Sequence, residues 1–309
     1  MLLAAGHGTR MEPLSSLLAK PALDVLGRPL LASALEHLLG VGCKPVVANL
    51  HRHPKQVAAA VRAVAGAATR VRFSWEPNLQ GGAGGVAAAR RLFAAGPVLV
   101  ANADIWSSLD LAALLAEDDD DGVALALLPH PDPRRWSSVL LAEDGRVAGF
   151  LPAGADLPGT PYLFTGFQRL GAGVVAALPQ PPAEWRPVWL ELRSRGKLRG
   201  AVVSGRWRES GTPAAYRDLV LAELGTRSWV HPLATVAAGA ALERCAVGAG
   251  CLVEPGVTAS ESVITAGAAV GQGSRLARCI IAGAVHLDRG EALSDLLVLP
   301  GCRVSLSAP

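Results

Sequence analysis

The sequence predicts a doubly wound, Rossmann-like α/β domain over residues 1–225, followed by a left-handed parallel β-helix over residues 226–309. Three observations carry that prediction. Short apolar runs alternate with helical patterns through the first part of the chain, as in a parallel sheet with crossover helices. A glycine turn, Gly6-His7-Gly8, directly follows the first apolar run. From Trp229 onward the texture changes: Val230, Val236 and Leu242 recur every six residues among small residues and glycines. Such a period marks solenoid coils that turn too tightly for large corner residues.

In chain order, strands are expected at 2–5, 45–50, 70–75 and 98–102, with helices at 29–39, 54–64 and 83–93 between them. Only Met1 and Leu2 precede Leu3-Ala4-Ala5-Gly6, whereas a central strand usually has about five residues or more. The first strand is therefore expected to be truncated or to begin upstream of Met1. Further strands follow at 122–128, 139–142, 147–150, 163–167 and 201–207, with Asp144-Gly145 as a hairpin turn. Gln180-Pro181-Pro182 marks a surface loop. Thr212 and Pro213 read as N-cap and first-turn residue of a helix reaching about Leu224. In the solenoid, Cys245 and Cys251 lie six apart, which gives them equivalent buried or corner positions on successive faces. The tail 293–304 is expected to cap the open end.

Composition excludes several classes. The 309 residues are 50% hydrophobic, yet no apolar run approaches the ~18 residues a spanning helix needs. No basic stretch followed by an apolar one suggests a secretory signal. Five scattered cysteines form neither a disulfide framework nor a metal pair, so a cytoplasmic, reduced protein is expected. A net charge of +3 is too small to imply nucleic acid.

The chemistry should collect at the carboxyl ends of the parallel strands. Gly6 and Gly8 let backbone N–H groups approach an anion closely. Arg10 can fork onto phosphate oxygens, and Lys20, one of only four lysines in the chain, can add a point charge. Glu76 begins the glycine-rich run Glu76-Pro77-Asn78-Leu79-Gln80-Gly81-Gly82-Ala83-Gly84-Gly85 after the third strand, and Asp104 follows the fourth. Taken singly, such residues are most often turn or helix-cap residues.

Their order resembles that of the nucleoside-diphosphate-sugar pyrophosphorylases, or sugar-1-phosphate nucleotidylyltransferases. Gly6-His7-Gly8-Thr9-Arg10, then Pro13-Leu14-Ser15 and Lys20-Pro21, resemble the signature loop of that family. The resemblance implies nucleotide contacts from Ala5, Gly6, Gly8 and Thr9, with Arg10, Lys20 and Asp104 as catalytic residues. Glu76 and Gly81 match the family's nucleobase loop, although its usual threonine is Gly82 here. Val100-Ala101-Asn102-Ala103-Asp104 is similar to the family's V-x-N-G-D, whose aspartate holds Mg²⁺. Trp207-Arg208-Glu209-Ser210-Gly211-Thr212-Pro213 is similar to W-x-D-x-G-T-P, which makes Glu209 the second implied metal ligand in place of aspartate.

The family's F-x-E-K-P stretch is reduced to Phe150-Leu151-Pro152, a gap shared with the branch resembling N-acetylmuramate-1-phosphate uridylyltransferases. Mannose-1-phosphate guanylyltransferases with a hexapeptide domain are the other similar type. Phe164-Thr165-Gly166 is also similar to the first branch, and Asn102 and Gly166 are the implied substrate-binding residues. The implied activity transfers a nucleotidyl group from a nucleoside triphosphate to a sugar 1-phosphate with Mg²⁺ as cofactor. The β-helix is expected to build a homo-oligomer, with neither nucleic acid nor membrane as partner. Two other classes compete. A catalytically weakened regulatory paralogue would suit Glu209 and Gly82. A hexapeptide acyltransferase would need a solenoid histidine, for which only His231 and His286 are available.

Overall fold

The computed structural model describes residues 1–67, 69–156 and 159–306. They form two compact units, residues 1–6 with 31–207 and residues 7–30 with 208–309.

The first unit is built on a mixed sheet. Its strands are β1 (Leu2–Leu3), β2 (Val46–Leu50), β3 (Val71–Trp75), β4 (Val98–Asn102), β6 (Val123–Pro129), β7 (Ser138–Leu141), β8 (Val147–Leu151), β9 (Pro161–Leu170) and β10 (Leu198–Val202). A separate strand β5 (Ile105–Asp110) pairs with β11 (Ser204–Glu209). The main path runs β8-β7-β9-β4-β1-β2-β3, with β6 joining β9 to β10. The heart of the sheet is parallel: Leu2 stands opposite both Ala48 and Ala101, and β2 pairs in register with β3. All five residues of β2 are buried, as a parallel strand covered on both faces requires. β1 has only two residues, and its ladder with β4 is extended by bonds to the Met1 and Leu3 carbonyls.

Helices α1 (Ala32–Gly40), α2 (Pro54–Ala65) and α3 (Gly82–Ala89) follow the expected order. Several elements were not expected, the strand β5 among them. The run 201–207 divides at Val203 into β10, which pairs with β6, and β11, which pairs with β5. Helix α4 (Trp185–Ser194) carries Pro187, which reads as a breaker but sits in the first turn, where no intrahelical N–H is needed. Trp185, Val188, Trp189 and Leu192 line its inner face against Val86, Val100, Leu125, Leu170 and Leu198.

In the second unit, short parallel strands stack in three sheets, a parallel β-helix. Trp229, Ala246, Val263, Ile280 and Leu297 pair in succession, so each coil spans seventeen residues. The six-residue recurrence therefore loses one residue per coil. The shortened corner is a single residue in the left-handed region: Arg244 (φ 50), Glu261 (φ 47), Arg278 (φ 54) and Asp295 (φ 55). Arg244 pairs with Glu261, and Arg278 with Asp295, so opposite charges stack along that corner. Val247, Val253, Ile264, Val270, Ile281 and Leu287 fill the interior. Cys245 and Cys251 are buried among them as expected, and burial pushes the Cys245 thiol up to about 11. The tail folds back as an antiparallel pair, Leu296–Leu299 with Cys302–Ser305.

The division at residue 225 expected from the sequence differs from this partition. Helix α5 (Pro213–Leu224) and segment 7–30 belong with the solenoid. Fully buried Tyr216 on α5 donates its hydroxyl to the Asp24 carbonyl at 2.5 Å, tying the two pieces together. Thr212 caps α5 as expected, its hydroxyl accepting the Ala215 N–H at 3.2 Å.

Candidate active site

In the first unit, the loop after β3 is held by a buried polar relay. Glu76 is 2% exposed; its Oε1 accepts from Asn49 Nδ2 at 2.8 Å, and its Oε2 accepts the Gln80 N–H at 3.0 Å. Asn49 Oδ1 in turn accepts the Ala4 N–H at 2.7 Å. One carboxylate thus joins the ends of β1 and β2 to the glycine-rich loop. Asn49 escaped the sequence reading, although an amide inside a buried apolar strand was a visible signal.

A second holder of this loop, residues 183–185, had no sequence signal. Ala183 donates its N–H to the Gln80 carbonyl at 2.8 Å and accepts the Gly84 N–H at 2.9 Å. Glu184 accepts the Gly82 N–H at 3.3 Å, placing a carboxylate at the start of α3, where the helix dipole favours it. A Cβ on Gly81 would stand 2.4 Å from the Ala183 carbonyl oxygen, and one on Gly82 would stand 2.5 Å from the Trp185 indole. The missing family threonine is thereby explained: Trp185 fills its space.

The same unit brings Asn102 and Gly166 together. β9 runs antiparallel to β4, with Phe167 opposite Ala101. Gly166, at φ 89, would put a Cβ 3.1 Å from Asn102 Nδ2. Pairing of β9 with β6 is broken between Phe164 and Gln168, an irregularity of the kind that re-aims side chains beside functional sites. Trp207 donates its indole N–H to the Thr165 carbonyl at 3.0 Å. Asp104 lies in the turn between β4 and β5, partly exposed, set there by buried Ala103, whose N–H reaches the Leu3 carbonyl at 3.0 Å.

In the second unit, Gly8 takes a left-handed conformation (φ 65, ψ 32) before a short 3-10 turn, Thr9–Met11. Its carbonyl accepts the Met11 N–H and the Ser15 hydroxyl, both at 2.9 Å. Ser15 is thus a loop-holding residue that the sequence reading named without a role. A Cβ on Gly8 would lie 3.9 Å from Lys20 Cβ, so the glycine and the lysine are neighbours. Buried Met11, Leu14, Leu23, Val25 and Leu30 anchor the segment, while Thr9 and Arg10 are exposed. Arg10 Nη2 lies 3.0 Å from Glu209 Oε1. Gly211 leaves room for that pair, since a Cβ there would meet the Glu209 carboxylate at 2.7 Å and the guanidinium at 3.0 Å.

Among the described residues, no group of three or more His, Cys, Asp or Glu gathers to form a metal cage. Partly exposed carboxylates such as Asp104 instead suit a hard divalent cation held mainly by substrate phosphates and water. Glu209 has the same donor chemistry but shares its carboxylate with Arg10.

The family model for nucleotidyl transferases matches residues 1–219, and the chain belongs to that family. It is an enzyme of the nucleotidyltransferase class, and members of the family generally use a divalent metal. It is 32% identical over 228 residues to the N-acetylmuramate alpha-1-phosphate uridylyltransferase of Caulobacter vibrioides, covering 70% of this chain and 92% of that one. It is 29% identical over 289 residues to the mannose-1-phosphate guanylyltransferase of Mycobacterium tuberculosis, covering 87% and 80%. Its fold is that of HddC from Yersinia pseudotuberculosis, at a TM-score of 0.61 and 21% identity over 71% of this chain and 96% of that one. Among the described residues, no helix is long and apolar enough to cross a membrane.

Proposed function

We propose that the protein transfers a nucleotidyl group from a nucleoside triphosphate to a sugar 1-phosphate, giving a nucleoside-diphosphate sugar and pyrophosphate. The observation that carries this reading is the approach of Gly166 to Asn102 at the carboxyl end of β4, with Asp104 in the turn that follows, in a family whose relatives here act on sugar phosphates. A sugar-phosphate oxygen attacks the α-phosphorus in line as the bond to the β-phosphate oxygen breaks. That oxygen is already anionic, so no general base is required, and catalysis is positioning and charge neutralisation.

Ala5, Gly6, Gly8 and Thr9 receive the triphosphate through backbone N–H groups. Arg10 neutralises the leaving pyrophosphate, and Lys20 offsets charge on the reacting phosphates. Gly81 lies along the nucleobase; Glu76 fixes that loop and supplies the acceptor for a base N–H. Asn102 and Gly166 bind the sugar phosphate. Mg²⁺, with Asp104 and Glu209 as its protein ligands, would supply further neutralisation of the reacting phosphates. Residues 1–225 carry the chemistry, the β-helix assembles copies of the chain, and the reaction takes place in the cytoplasm.

A panel of triphosphates and sugar 1-phosphates, including UTP with N-acetylmuramate 1-phosphate and GTP with mannose 1-phosphate, tests this by pyrophosphate release. Turnover with one pair is expected, and it should fall at least about a hundredfold in Asp104→Asn. Silence across the panel would refute the reading, and wild-type turnover in Asp104→Asn would remove the metal role of that residue.

A further inference from the structure

Segment 7–30 carries the anion-binding residues, and the second unit shows what it rests on. Several left-handed glycines at the solenoid turns, Gly250, Gly267 and Gly273 among them, face open space. Gly283 does not: a Cβ there would stand 2.4 Å from Leu17 Cδ2, so Leu17, the last residue of the short helix Leu14–Leu17, is seated on that turn. Further along the segment, Gly27 (φ 84) would put a Cβ 3.0 Å from the indole of Trp229, where the first coil begins. Between these points Asp24 bonds the Gly27 N–H and faces His231. Burial pushes the Asp24 carboxyl up, while the Gly27 N–H and the His231 imidazole draw it back.

We infer that the β-helix is a working part of nucleotide binding, with Leu17 on Gly283 and Trp229 on Gly27 as positioning contacts that hold the phosphate loop. One contact sits at the middle of the segment and the other near its end, on coils well separated in sequence. They flank Lys20, and Leu17 closes the short helix whose Ser15 holds the Gly8 carbonyl just before Arg10. This inference rests on the phosphate-binding role proposed above for that loop. It also gives the solenoid a duty beyond assembly, since whatever strains the coils reaches the loop.

The test uses the full chain with Leu17→Ala and Trp229→Phe, and with Leu233→Ala, a 73% exposed solenoid residue, as control. Hydrogen exchange at amides 7–23 should quicken about tenfold or more in the first two variants while solenoid strands keep wild-type rates. KM for the triphosphate should rise about fivefold at constant mass by light scattering, and the control should change neither. Unchanged exchange and KM in both clamp variants would overturn the inference. So would loosening of the whole solenoid together with the loop. The exchange readout needs no turnover, so an inactive wild type would count against the proposed activity and leave the clamp to be decided by exchange.

Discussion

The two glycine-rich loops of this chain owe their glycines to different causes. In the first loop, Gly6 has nothing within 4 Å of an added Cβ, and Gly8 is fixed by its own left-handed backbone and its neighbours Ser15 and Lys20. In the second, Gly81, Gly82 and Gly84 are pressed by residues 181–185, and Gly85 by the Asn49–Glu76 pair. Gly6 stays open where an anion would approach, while the glycines of the other loop are crowded by distant chain on the side of their missing Cβ. A glycine in such a motif can therefore answer to a neighbour as well as to a ligand, and only the structure shows the neighbour.

The comparison can be broken most severely at Gly81. Gly81→Ala meets a backbone oxygen at 2.4 Å while holding φ at 73, so it combines overpacking with left-handed strain. A loss of about 3 kcal/mol is expected from urea denaturation. Next comes Glu76→Gln, whose NH2 group can only donate, so either Asn49 Nδ2 or the Gln80 N–H loses its acceptor and the other bond loses its charge; the loss should be about 2 kcal/mol.

Gly82→Thr restores the family residue against Trp185 and should cost about 1–3 kcal/mol. Combined with Trp185→Ala the losses should fall short of additive by about 1 kcal/mol, because the second change vacates the space the first one needs. Full additivity would show that Trp185 does not determine Gly82.

The smallest structural effects belong to the first loop. Gly8→Ala should lose about 1 kcal/mol for its left-handed backbone. Gly6→Ala should leave stability unchanged within about 0.5 kcal/mol while raising KM for the triphosphate. A stability loss at Gly6 equal to that at Gly81 would erase the distinction between the loops.

Much of this protein was legible in its sequence because the deciding information is local. The strand β4 at 98–102, the Thr212-Pro213 helix start and the buried places of Cys245 and Cys251 each follow from short-range pattern. Apolar periodicity and capping chemistry act within a turn or two of chain. The same holds for the turn at Gly8 and for the placement of Asp104 beyond β4.

Other features were decided by contacts across long stretches of chain. The resemblance implies a nucleobase role for Glu76, and its bonds to Asn49 and Gln80 come only from the tertiary structure. Gly82 departs from the family pattern because Trp185, more than a hundred residues away, stands where the threonine side chain would go. The pairing of Arg10 with Glu209 and the seating of Leu17 on Gly283 left no trace in local composition. The seventeen-residue coil depends on a single left-handed corner residue that carries a charge rather than a glycine. The sequence by itself determined the central strands, their crossover helices and the order of the candidate site residues. Tertiary structure decided what each glycine makes room for, because a missing Cβ leaves no record of the atom that took its place.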